Sequence, residues 1–108
     1  MTNRFEGKVA LVAGASKAML SHLTAELAVE LGADIRVNAV APAVVTTRFA
    51  AAPYEGREDQ LASPYPLKRL GLPQDSGSVV AFLLSQDAAW VTGQVIAVDG
   101  GLTLTGGL

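Results

Sequence analysis

The chain has 108 residues, of which half are hydrophobic and 17% are charged, so a disordered tail is excluded and one small globular domain, residues 1–108, is predicted. The formal net charge of −2 leaves no basic excess to attract a phosphate backbone, and we therefore expect no nucleic-acid binding. The absence of cysteine excludes disulfides and thiolate metal sites.

The first predicted element is a strand, Val9–Ala13, which is a short apolar run that ends at Gly14. An amphipathic helix is predicted from Lys17 to Leu31, with Ser16 as its N-cap and Gly32 just past its end. Its predicted buried stripe consists of leucines that recur every three or four residues: Leu20, Leu23, Leu27 and Leu31.

The second half of the chain is predicted to add two strands and one long helix. Ile35–Ala41 reads as a strand that stops at Pro42, because proline cannot donate to a ladder. Residues 42–73 hold all five prolines and are predicted to form an irregular, lid-like segment, with room for one turn of helix near Glu55–Leu61. A helix follows from Pro73 to Ser85, and the last strand is Gln94–Val98. The order predicts a small parallel α/β sheet.

Five segments of the chain, in this order, resemble the short-chain dehydrogenase/reductase family. Gly7–Ser16 is similar to the family's first strand and the start of its TGxxxGxG turn, and Ala15–Leu31 to the helix that carries YxxxK. Ile35–Thr47 resembles the sixth strand with a PGxVxT motif. Leu67–Pro73 and Thr92–Gly101 resemble the lead-in to the last helix and the last strand. The resemblance implies an NAD- or NADP-dependent oxidoreductase with a Rossmann-like fold that acts on a carbonyl or alcohol substrate.

The family places more than half of its length between the Gly turn and the YxxxK helix, whereas here the two motifs share Ala15-Ser16. The resemblance therefore implies an internal truncation that removes the central strands, the residue that reads the adenosine ribose and the catalytic serine. We interpret the junction as an in-frame deletion between two Ala-Ser copies. A longer insert at this point in the source DNA would contradict that interpretation.

The dinucleotide turn is only half matched. Gly14 fits the first glycine, which makes the tight bend. The later two glycines, which let the backbone approach the pyrophosphate, correspond to Ala18 and Leu20. An ordinary strand-to-helix turn explains the same residues.

The catalytic motif is also incomplete. Lys17 matches the family lysine, which lowers the pKa of the general-acid tyrosine and binds the nicotinamide ribose. The matching tyrosine position holds Ala13. The two tyrosines, Tyr54 and Tyr65, lie in the irregular segment, and one interpretation is that either of them swings in beside Lys17. The alternative is that Lys17 is a solvent-exposed lysine at a helix start. His22 is the single histidine, is predicted to be a surface residue, and suggests no metal site.

The nicotinamide side is better preserved. Pro42 to Thr47 matches PGxVxT except for Ala43 in place of glycine, which is acceptable if that position does not need a positive φ. The resemblance implies that Val45 offers backbone groups to the carboxamide and that Thr47 offers a hydroxyl. A strand exit with a proline stop is the alternative.

The truncation predicts a reduced three-layer fold in which the first strand lies beside Ile35–Ala41, the last strand lies on the other side, and one helix covers each face. Its open sheet edges predict a homo-oligomer or an aggregation-prone chain. Three hypotheses follow: an impaired NAD(P)-dependent oxidoreductase, a non-catalytic relic that self-associates or pairs with a full-length relative, or a fragment that does not fold uniquely. The chain has neither an apolar run of about 18 residues nor a signal-peptide start, so we expect a cytoplasmic protein without a membrane span.

Overall fold

The computed structural model describes residues 8–12, 17–43 and 57–105. The strands are β1 (Lys8–Val12), β2 (Ile35–Pro42) and β3 (Val95–Val98), and the α-helices are α1 (Lys17–Leu31), α2 (Glu58–Ala62) and α3 (Pro73–Leu84). Short 3-10 turns cover Gln86–Ala88 and Leu102–Thr105. The predicted order of elements is confirmed, and α2 is the turn of helix that was allowed inside the irregular segment.

The strands form a three-stranded sheet in the order β1-β2-β3. β1 runs parallel to β2 from the pair Lys8↔Ile35 to the pair Val12↔Ala39. The structure thus confirms that the first strand lies directly beside the second, with α1 as the connection between them. β2 also extends one residue further than predicted, to Pro42, because the last residue of a strand needs no N–H for the ladder.

The two faces of β2 have different chemistry. Side chains alternate along a strand, so Arg36 and Asn38 share one face while Val37 and Ala39 share the other. Arg36 reaches the carbonyl of Leu83 near the end of α3, and this contact places that helix end on the polar face. Val37 and Ala39 are fully buried. The result is the predicted α/β, Rossmann-like arrangement with a helix on each face.

The buried side of α1 differs from the predicted leucine stripe. Leu20, Thr24 and Ala28 are buried, at a spacing of four residues, whereas Leu23 is 48% exposed and Leu31 is also exposed. The buried hydroxyl of Thr24 donates to the Leu20 carbonyl at 2.6 Å, which satisfies the donor within the helix. Small side chains on this line permit close packing, as at Gly93, where an added Cβ would lie 3.3 Å from the Ala28 Cβ.

The chain divides into two compact units, one formed by Met1–Ala41 with Ser78–Ile96 and the other by Pro42–Gly77 with Ala97–Leu108. The single domain over residues 1–108 remains a prediction. In the part of the chain that is described, no helix is long and apolar enough to cross a membrane.

The second unit is built around a small core of Tyr65, Leu70 and Leu102, against which Ala43 and Leu61 pack. The described part of the predicted lid-like segment therefore contributes buried residues. Two glycines after β3 make this packing possible, since Gly100 and Gly101 both have positive φ values, of 59° and 89°. A Cβ on Gly101 would lie 2.7 Å from the Pro66 Cγ, which is closer than real carbon contacts.

Helix α3 begins with a capping arrangement centred on Asp75. Its carboxylate accepts the Leu72 N–H at 2.7 Å, as the third helical residue does in a capping box. It also accepts two bonds from the Arg69 guanidinium, at 2.8 and 3.0 Å. The Arg69 hydrogen bond, followed by the Leu72 backbone bond, lowers the pKa of Asp75 to about 2.

This lowered pKa predicts an acid-dependent loss of stability. The unfolded carboxyl titrates near 3.8, so the stabilisation is complete above that pH and is lost as the pH falls from about 3.8 to about 2. Asp75→Asn should be less stable than the wild type at pH 7, and the difference should shrink as the pH approaches 2. Urea unfolding across this range tests the prediction. A difference between the two proteins that is independent of pH would contradict it.

Candidate cofactor site

The first half of the predicted site lies between β1 and α1. β1 ends at Val12 and α1 begins at Lys17, so Lys17 is the first residue of the helix. Gly14 lies outside the described residues. The first turn of α1 carries no acidic residue, and a lysine there opposes the helix dipole, which favours negative charge at this end.

The residues that should form the rest of the dinucleotide turn do not fit a pyrophosphate. Ala18 and Leu20 occupy the positions of the later glycines, and both already lie in the first turn of α1. The Leu20 side chain is only 4% exposed and belongs to the core. The backbone there is therefore helical and covered by a core side chain, whereas a phosphate cradle requires an open glycine backbone.

The second half of the predicted site begins where β2 ends. Pro42 is the last residue of β2 and is exposed, while Val45 and Thr47 lie outside the described residues. The Ala43 N–H donates to the Val98 carbonyl at 3.2 Å, which extends the ladder past the proline. Among the described residues, Lys68 is the one non-glycine residue with a positive φ, so alanine is accommodated at position 43 without backbone strain.

Tyr65, one of the two tyrosines in the predicted lid-like segment, is 4% exposed and packs in the core with Leu70 and Leu102. Such a buried position does not suit a side chain that has to swing in beside Lys17. Tyr54 lies outside the described residues. His22 is exposed, as predicted, and lies 3.5 Å from Glu26 one helical turn later. No group of three potential metal ligands occurs in the described segments.

Two polar residues of β2 have roles that the periodicity of the sequence did not reveal. Arg36 donates to the carbonyls of Leu83, Ser85 and Val91 at 3.0 to 3.3 Å. The buried Asn38 donates to the Val91 carbonyl and accepts the N–H of Gln94. Their signal in the sequence is the presence of polar side chains in an otherwise apolar strand, where each requires a partner.

Comparison with known proteins places this arrangement in a family. The sequence model described as Enoyl-(Acyl carrier protein) reductase matches residues 2–103, which is nearly the whole chain. The chain belongs to the short-chain dehydrogenase/reductase family. A tropinone reductase homolog of Arabidopsis thaliana is 45% identical over 100 residues, a match that covers 91% of this chain and 38% of the relative.

Solved structures of short-chain dehydrogenases/reductases share the fold. A short-chain type dehydrogenase/reductase from Mycobacterium ulcerans is 43% identical, with a TM-score of 0.73 over 82% of this chain and 33% of that one. A 4-hydroxyisoleucine dehydrogenase complexed with NADH is 29% identical, with a TM-score of 0.75 over 89% of this chain and 46% of that one. The chain therefore spans about a third of the length of the curated relatives that it matches, in agreement with a truncated member of the family.

Proposed function

We propose that the chain derives from an NAD(P)-dependent short-chain oxidoreductase for carbonyl or alcohol substrates, and that both its cofactor binding and its hydride transfer are impaired in the present form. Membership of the family and the NADH complex of a structural relative support the cofactor class. The observation that carries the proposed impairment is the junction at α1, where Lys17 begins the helix and Ala13 occupies the tyrosine position.

The missing groups explain why the loss of activity should be large. A tyrosine general acid and its neighbouring lysine act together, and a positioned acid typically contributes 10²–10⁴-fold to a rate. Alanine has no proton to donate, so Lys17 has no acid to assist. The proposed site keeps Gly14, Pro42, Val45 and Thr47 as cofactor contacts, without a second or third turn glycine to receive the pyrophosphate.

A thermal-shift titration tests the proposal. We expect NADH and NADPH at millimolar concentration to leave the melting temperature of the chain unchanged within about 1 °C. By contrast, a site saturated at 100 times its Kd adds about 2.7 kcal/mol, which corresponds to a rise on the order of 10 °C for a domain of this size.

Lys17→Ala supplies the matched variant for the same assay. We expect it to behave like the wild type, both in the titration and in the consumption of reduced nicotinamide with ketone substrates. A full-length member of the family serves as the positive control. A saturable rise in melting temperature, or turnover that disappears in Lys17→Ala, would show that the site still functions.

A further inference from the structure

The outer edge of β1 is the feature that the proposed function leaves unused. The strand order places β1 at one side of the sheet, with β2 as its neighbour. Within the described residues, no strand lies beyond it. An edge strand presents unpaired N–H and C=O groups that are a template for another extended chain.

The hydrogen bonds between β2 and β3 show which groups of β2 face β3. Ala39 donates to the Gln94 carbonyl at 2.8 Å, and Gly93 donates to the Val37 carbonyl at 2.6 Å. The backbone N–H and C=O groups of the odd-numbered residues of β2 therefore point toward β3. Because these groups alternate along a strand, the backbone groups of the even-numbered residues of β2 point toward β1.

The register then identifies the groups that β1 leaves open. Arg36 and Asn38, which face β1, are the register partners of Val9 and Leu11. In a parallel ladder, the residue opposite a bonding residue turns its own N–H and C=O to the other side. Val9 and Leu11 thus direct two donors and two acceptors away from the sheet.

β1 has little of the usual protection of an edge, since its one charged residue, Lys8, stands at its first position. Val9–Val12 contains no proline and no charged residue. The opposite edge, β3, is only four residues long and is preceded by Gly93 and followed by Gly100, both with positive φ values that turn the backbone. A short strand between two such turns is itself a protected edge.

We propose that the β1 edges of two copies of this chain pair in an antiparallel manner about a twofold axis at Ala10. In this register Val9 lies opposite Leu11 of the second copy, and the four outward groups of each strand are used in four intermolecular hydrogen bonds. The contact is self-complementary, as a closed twofold dimer requires, and it joins the sheets into one of six strands. A net charge of −2 on each chain opposes association only weakly.

Cysteine cross-linking tests this register in a chain that has no natural cysteine. In Ala10→Cys the two sulfurs would belong to directly opposed residues, whose Cα atoms lie about 4.5 Å apart in a non-hydrogen-bonded pair. In Leu11→Cys the Cα atoms would be about 8 Å apart, beyond disulfide reach. We expect Ala10→Cys to oxidise mainly to a covalent dimer and Leu11→Cys to remain monomeric on a non-reducing gel.

Hydrogen exchange of the unmodified chain gives a second measurement that does not depend on how a variant folds. The amides of Val9 and Leu11 should exchange on the order of tenfold faster after dilution below the dimer range, while those of Ala10 and Val12, bonded to β2, stay protected. Equal protection at both dilutions would overturn the proposal. Cross-linking through Ile96→Cys in β3, or open-ended polymers in light scattering, would also overturn it. None of these results depends on cofactor binding.

Discussion

Asn38→Leu is expected to lower the free energy of unfolding by about 2–4 kcal/mol, because it removes a fully buried amide together with both of its hydrogen bonds. The Asn38 side chain donates to the Val91 carbonyl at 2.9 Å and accepts the Gln94 N–H at 3.1 Å. Leucine has a similar size but leaves the part-buried Gln94 N–H without its acceptor. The Val91 carbonyl keeps a weaker bond from Arg36 at 3.3 Å, which limits the loss.

A domain of about 100 residues is stabilised by roughly 5–15 kcal/mol in total, so this single change removes a large fraction. Urea unfolding at pH 7 measures it through the midpoint at constant m-value. Gln94→Ala is the matched control, because it removes an exposed side chain from the same segment and keeps the backbone N–H. We expect the control to lie within about 0.5 kcal/mol of the wild type. An equal loss in the two variants would contradict the role of the buried amide.

Asn38→Asp separates hydrogen bonding from shape. The introduced carboxylate can still accept the Gln94 N–H, but it directs negative charge at the Val91 carbonyl in a buried position. Burial raises the folded-state pKa of such a carboxyl above its unfolded value, so the folded state binds its proton more tightly. This variant should therefore gain stability as the pH falls toward 4, relative to Asn38→Leu, which carries no such group.

The sequence was sufficient to predict the elements and their adjacency. β1 is a short apolar run and β2 is a short, mostly apolar one, and the single helix between them is long enough for one right-handed crossover, which favours pairing of the two strands. Which side of α1 is buried was harder to predict from the sequence. The leucines dominate its periodicity, but the packed line of Thr24 and Ala28 consists of small residues whose burial depends on close packing rather than on hydrophobicity.

The candidate site was predictable only through the family resemblance. The family residues that match Gly14, Val45 and Thr47 contact the cofactor through backbone groups or one hydroxyl at the ends of strands. No hydrophobic periodicity identifies such groups. Hydrogen-bond partners that are distant in the chain are equally difficult to predict from the sequence. Arg36 and its carbonyl acceptors are 47 to 55 residues apart in the chain, and the strand pattern around Arg36 indicates only that a polar side chain needs a partner.

Arg36→Met is the second change for which we expect a large effect, a loss of about 2–4 kcal/mol in the free energy of unfolding. The last turn of α3 contains no basic residue of its own, and its carbonyls form the negative end of the helix dipole. Arg36 supplies the missing cation from β2 and donates to the carbonyls of Leu83 and Ser85 at 3.0 and 3.1 Å. Hydrogen bonds from a charged donor contribute about 1.5–3 kcal/mol each, and methionine retains only the apolar stem.

Arg36→Lys distinguishes the charge from its geometry. A lysine ammonium can approach one of these carbonyls but cannot reproduce the planar fork that reaches both, so we expect a loss intermediate between those of the wild type and Arg36→Met. Arg57→Met is the matched control, since Arg57 is exposed and its replacement should change stability by less than about 0.5 kcal/mol. Thermal unfolding with amide-exchange protection of Ser85 and Val91 measures both effects. If Arg36→Lys were as unstable as Arg36→Met, the charge at the end of α3 would be irrelevant and the planar fork alone would hold this helix to the sheet.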